Sequence, residues 1–102
     1  MAEIRVVWSH LAKIQRDDIF NYWNTRNKST HFSKKLKIKI KEKTEQLKIQ
    51  PNSGLKIKGT DKKILISGNY SLIYKVLQNE IRVYMFWENH QNPEKLKSIL
   101  GL

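Results

Sequence analysis

An α+β fold is predicted, in the order β-α-α-β-β-β: an N-terminal strand, an antiparallel two-helix hairpin and a three-stranded antiparallel meander. These should form one mostly antiparallel sheet, followed by a short C-terminal helix. Three observations predict it. Apolar residues alternate with polar ones near the N-terminus and again between Tyr70 and Trp87, the period of a half-buried strand. From Ala12 to Leu47 they recur at the three-to-four spacing of a helix face. The breaks between these segments are short and rich in Ser, Asn and Gly. At 102 residues the chain holds one core, so residues 1–102 are read as a single domain.

Glu3 to Trp8 opens the chain as a strand, with Ile4, Val6 and Trp8 on one side and Arg5 on the other. Ser9 offers an N-cap hydroxyl for a first helix of about four turns, reaching Arg26. Its stripe is Ala12, Ile19 and Trp23, widened by Leu11 and Phe20. Arg26 is placed to meet the last carbonyls of that helix. The polar break Asn27-Lys28-Ser29-Thr30 supplies a second cap at Ser29 or Thr30. A second helix follows to about Leu47, with Phe32, Leu36, Ile40 and Leu47 on one face. So short a break folds the two helices into a hairpin.

Gln50-Pro51-Asn52-Ser53-Gly54 stops the second helix, and the polar stretch to Asp61 is expected to be loop. Ile64 to Ile66 then forms a short strand. Ser67-Gly68-Asn69 turns the chain into Tyr70 to Leu77, and Gln78-Asn79 turns it into Glu80 to Trp87. Asn89 and Asn92-Pro93 suit a turn and a helix start, with the last helix over Pro93 to Leu100. Strict alternation puts Ile81, Val83, Met85 and Trp87 toward the helices together with Tyr70, Leu72, Tyr74 and Val76. Ser71, Ile73, Lys75, Arg82, Tyr84, Phe86 and Glu88 then share the opposite face.

Twenty Lys and Arg against nine Asp and Glu leave a net charge of +11, a field that draws nucleic acid, ribosomes or an acidic protein. Residues 28–63 hold 12 of the basic and 3 of the acidic residues, and the lysines of the second helix form its outer surface. The opposite sheet face mixes Tyr84 and Phe86 with Lys75 and Arg82, a composition suited to stacking on unpaired bases while neutralising phosphates. A partner segment that buries this face would explain the same composition.

Cysteine is absent, which excludes disulfides and thiolate metal sites. His10, His31 and His90 lack metal-ligand spacing, and four scattered glycines build no phosphate-cradling loop, so neither metal nor cofactor is expected. No apolar run approaches the length of a membrane span, and the first residues lack the build of a signal peptide; a cytoplasmic location is the expectation.

Several strings, in order and at consistent separations, carry a resemblance over essentially the whole chain. They are VVWSHLA entering the first helix, IFNYWNTRNKSTHFSKKL across the hairpin, LKIQPNSG leaving it, GNYSLIYKV, and IRVYMFWENHQNPEKL. The sequence resembles the RelE/ParE superfamily of toxins from type II toxin–antitoxin systems. The resemblance implies a helix hairpin on an antiparallel sheet and a hetero-oligomer with a cognate antitoxin that holds the toxin inactive. It also implies one of two activities. RelE-like members cut mRNA on the ribosome, whereas ParE-like members inhibit DNA gyrase without a nuclease centre.

Cleavage requires a group that activates the 2′-hydroxyl, cations for the phosphate and an acid for the leaving oxygen. By resemblance, Glu88 and His90 stand where family nucleases place charged or acid–base residues, with an imidazole suited to either role. Lys62 and Lys63 stand near lysines that the family keeps at the second strand. The Arg that RelE-like nucleases carry after the opening aromatic of the third strand is replaced here by Ser71. Expected catalytic residues are therefore His90, Glu88 and Arg82, and expected RNA-binding residues Lys62, Lys63, Lys75, Tyr84 and Phe86. Ribosome-dependent mRNA cleavage is the leading expectation. Gyrase inhibition and a plain nucleic-acid-binding module are the alternatives.

Overall fold

Val6 and Val7, stiff at χ1 and suited to a pleated surface, lie in the short strand β1, Arg5–Trp8. The computed structural model describes residues 4–89, together with Glu94 and Ser98. Glu3 and His90 therefore lie outside the described residues, as do the Asn92-Pro93 turn and, apart from Glu94 and Ser98, the helix expected over Pro93 to Leu100.

Ser9 caps helix α1, His10–Asn27, by accepting a hydrogen bond from the Ala12 N–H at 3.0 Å. Lys28 ends it in the left-handed region, φ 50°. Helix α2, His31–Ile49, follows; Thr30 stands at its N-cap without a side-chain bond, while Ser29 Oγ accepts from the His31 N–H at 3.1 Å. Ser33 ties the hairpin together, its buried hydroxyl donating to the Phe20 carbonyl at 3.1 Å and meeting Asn24 Oδ1.

The expected loop after α2 contains a two-residue strand, β2 (Leu55–Lys56). Its residues pair with the edge of β3 (Lys63–Ser67), and the Ile57 N–H closes the intervening turn on the Lys62 carbonyl. The meander continues through β4 (Tyr70–Leu77) and β5 (Glu80–Glu88). The strand order is β1-β5-β4-β3-β2, antiparallel except where β1 runs parallel to β5, Val6 opposite Ile81 and Trp8 opposite Val83.

The helix hairpin packs on one face of this sheet. Ala12, Ile19, Leu36 and Leu47 meet Leu72, Tyr74, Ile81, Val83 and Phe86 in the main core. Leu11 and Phe32, expected within the helix stripes, are 49% and 37% exposed; each falls at the margin of a stripe. Arg26 does not meet the last carbonyls of α1. Its Nη1 donates to the Tyr22 hydroxyl at 2.9 Å and its guanidinium lies over the Trp23 ring. Tyr74, fully buried, holds the loop after α2. Its hydroxyl donates to the Pro51 carbonyl at 2.8 Å and accepts from the Gly54 N–H at 2.9 Å. A Cβ at Gly54 would stand 2.6 Å from that hydroxyl and 2.8 Å from the Ile64 carbonyl, so only glycine permits the approach.

Strict alternation fails at one place, and the correction is large. β5 carries one residue more than β4 between the pairs Tyr74–Val83 and Ile73–Met85, so Tyr84 stands in a β-bulge. Beyond it every side chain changes face. Ile81 and Val83 point at the helices as expected, but so does Phe86, which stacks in parallel on Tyr70 at 5.7 Å. Met85 and Trp87 turn instead to the opposite face, where Trp87 joins Ile64 and Ile73 in a second apolar cluster with Ile57 and Met85 against it.

Candidate functional site

The bulge is held from α1. Where the pairing of β1 ends at Trp8, the Ser9 N–H donates to the Val83 carbonyl at 2.8 Å and the Ser9 hydroxyl to the Tyr84 carbonyl at 2.9 Å. Gln15 Oε1 accepts from the Phe86 N–H at 2.9 Å. Backbone groups freed by the irregularity thus find partners on the helix. Ser9 had a local signal as a cap; its second bond and that of Gln15 span 75 and 71 residues and have no local signature.

This geometry divides the expected site residues between two faces. Arg82, Lys75, Lys62 and Tyr84 gather on the face away from the helices. Arg82 Nε donates to Glu80 Oε2 at 2.7 Å, Lys75 Nζ stands 2.6 Å from Asp61 Oδ2, and Lys62 Nζ lies 3.5 Å from Asp61 Oδ1 and over the Tyr84 ring. Hydrogen bonding to Lys75 holds the Asp61 carboxyl below its ordinary range, and Asp61 in turn raises Lys75; Glu80 likewise raises Arg82. Among these groups two carboxylates thus answer three cations. Lys63 pairs with Tyr74 and so shares the helix-side face. Phe86 is buried in the main core at 2% exposure, where no base can stack on it. Glu88, expected beside Lys75 and Arg82, follows Phe86 to the helix side. His90 lies outside the described residues. Ser71, at 1% exposure, donates to Asn89 Oδ1 at 2.8 Å, while the Asn89 N–H extends the strand pairing to the Asn69 carbonyl at 2.7 Å.

The positive field is concentrated elsewhere. α2 carries seven lysines against two glutamates, and among the described residues only Lys48 is ion-paired there, with Glu45 at 3.0 Å. Beside this helix a cleft of about 750 Å³ opens toward the β3–β4 turn. Its walls are Trp23, Phe32, Leu36, Tyr70, Leu72 and Phe86. Glu88 lines it too, 7% exposed, with Oε2 buried and without a hydrogen-bond partner among the described residues. Burial first, and the Glu88 charge second, push the Tyr70 phenol up to about 12. The Trp23 indole N–H lies close enough to oppose that rise without meeting the geometry of a hydrogen bond. Sequence reasoning read Trp23 and Tyr70 only as core. Their place in the cleft walls has no signature in spacing. Among the described residues no group of His, Asp and Glu forms a metal-ligating cluster, and no helix is long and apolar enough to cross a membrane.

A lysine-rich helix hairpin laid on a meander, with the first strand parallel to the last, defines the class: a small α+β domain with one five-stranded sheet covered on one face. Residues 6–93 match the family model described as ParE toxin of type II toxin-antitoxin system, parDE, and the chain belongs to that family. Its fold is similar to a solved structure titled "Chromosomal ParDE TA system from P. aeruginosa", with a TM-score of 0.70 at 16% identity, covering 83% of this chain and 95% of that one. No curated protein sequence matches the chain.

Proposed function

We propose that this toxin arrests growth by binding DNA gyrase, as a ParE-like inhibitor, and that a cognate antitoxin neutralises it. The observation that carries this reading is the separation of Glu88 from three of the expected cations, Lys62, Lys75 and Arg82. General acid–base chemistry needs the proton-transfer group and the phosphate-binding cations within hydrogen-bond reach of one substrate. Glu88 opens into the helix-side cleft, whereas Lys62, Lys75 and Arg82 lie on the other side of the sheet, already paired with Asp61 and Glu80. A binding toxin needs no such convergence. Membership of the ParE family supports the same branch.

The antitoxin reading is supported by the family and by the lysines of α2, of which only Lys48 is ion-paired among the described residues, and which favour a partner rich in acidic residues. One observation favours ribosome-dependent mRNA cleavage as a second reading: Tyr84, Lys62, Lys75 and Arg82 do gather on one face.

Two assays on the purified chain separate the readings. Gyrase inhibition predicts loss of supercoiling activity on a relaxed plasmid and an intact message in cell-free translation. New 5′ ends that appear only when ribosomes are present, with supercoiling unaffected, would establish the nuclease instead.

A further inference from the structure

A carboxylate in an aromatic cleft is costly unless something answers its charge. Glu88 is 7% exposed, its Oε2 is buried, and among the described residues it makes no ion pair. The cleft around it is large and apolar, with the half-buried Trp23 and Tyr70 among its lining residues. Lys39 and Lys43 stand along the α2 side with Glu42 between them, and no ion pair links either lysine to Glu88. The Glu88 charge is felt inside the cleft, since it helps to raise the Tyr70 phenol.

We propose that this cleft is a binding site for a cation on an apolar stem, an arginine or lysine side chain carried by an amphipathic peptide segment of a protein partner, with Glu88 as its counter-ion. An ammonium or guanidinium seated there gives the buried oxygen a charge-assisted hydrogen bond and lies against aromatic faces that attract cations. The stem meets Leu36 and Leu72. At the mouth, Lys39 and Lys43 disfavour a uniformly basic segment and select one whose flanks are acidic. The expected pattern is therefore one basic residue among apolar ones, with acidic neighbours. That the segment belongs to the antitoxin rests on the function proposed above; the chemistry of the cleft does not.

The test uses the full chain and three probes with one stem, 4-phenylbutylamine, 4-phenylbutanol and 4-phenylbutyrate, titrated while the Trp23 indole N–H is followed by NMR. The amine is expected to shift the Trp23 signal and to bind at least about tenfold more tightly than the alcohol, with the carboxylate weakest. In Glu88→Gln, which keeps the shape and removes the charge, the amine and alcohol should bind alike. Equal binding of amine and alcohol to the wild-type chain would overturn the proposal, as would an amine preference that survives in Glu88→Gln. A Trp23 signal unmoved up to about 10 mM amine would overturn it too. The wild-type comparison decides the matter even where the variant fails to fold. Neutralisation of growth arrest by a neighbouring reading frame tests the antitoxin reading separately, and its failure would leave these titrations standing.

Discussion

Tyr70 and Tyr74 stand on the same face of β4, and both phenols are raised by burial, yet their surroundings differ. Tyr74 has two backbone partners, and the Gly54 N–H favours its ionised form. Tyr70 faces the Glu88 charge, which acts in the same direction as burial. Because the folded value of about 12 lies above the ordinary 10.0, the protonated phenol is the form that the fold favours. Its contribution is fully present below pH 10 and is lost as pH rises through about 12. Of the four tyrosines, Tyr70 should be the last or among the last to ionise in an absorbance titration of the folded chain. Glu88→Gln should lower its midpoint, and a midpoint that does not move would place the carboxylate charge elsewhere.

At the scale of the element, the decisive feature is the single extra residue in β5. It turns Phe86 and Glu88 toward the helices and leaves Tyr84 with the cations. Its supports are Ser9 and Gln15. In Gln15→Leu the Phe86 N–H loses its partner in a partly buried setting, and unfolding measurements should show a loss of about 1–3 kcal/mol. Ser9→Ala removes the helix cap together with the bond to the Tyr84 carbonyl, and should cost about 1–2 kcal/mol or more. The two residues brace one bulge, so the double variant should lose a different amount from the sum of the single losses, by about 0.5 kcal/mol or more. Strict additivity would mean that the bulge stands without them.

At the scale of the molecule, a charge of +11 on 102 residues makes every encounter with a polyanion salt-dependent. The paired cations of the sheet and the unpaired lysines of α2 make unequal claims on that field. Replacing Lys34, Lys35 and Lys37 by Gln should weaken non-specific binding to duplex DNA and flatten its salt dependence by about 0.9 for each phosphate no longer neutralised. Replacing Lys75 and Arg82, which are ion-paired with Asp61 and Glu80, should change the slope much less. The reverse order would move the binding surface to the sheet.

Ser9, Asn27 to Thr30, Gln50 to Gly54 and the two Asn-containing turns of the meander determined the order of the main elements and their approximate bounds, though not the short strand β2. Capping and turn formation are decided by a few adjacent residues. The lysine-rich second helix and the family were legible for the same reason, as local strings in a fixed order. Which face Phe86, Trp87 and Glu88 occupy was not legible. Alternation is a local rule, and one bulge cancels it through hydrogen bonds from Ser9 and Gln15, 75 and 71 residues away. The pairing of Lys75 with Asp61, across a turn and a strand, is equally invisible to spacing. Tertiary structure alone therefore decided that Glu88 stands on the other side of the sheet from Lys62, Lys75 and Arg82, while Lys63 shares the helix side with it. Short-range chemistry sets the elements, whereas the orientation of a side chain beyond a bulge depends on contacts that exist only once the chain has folded.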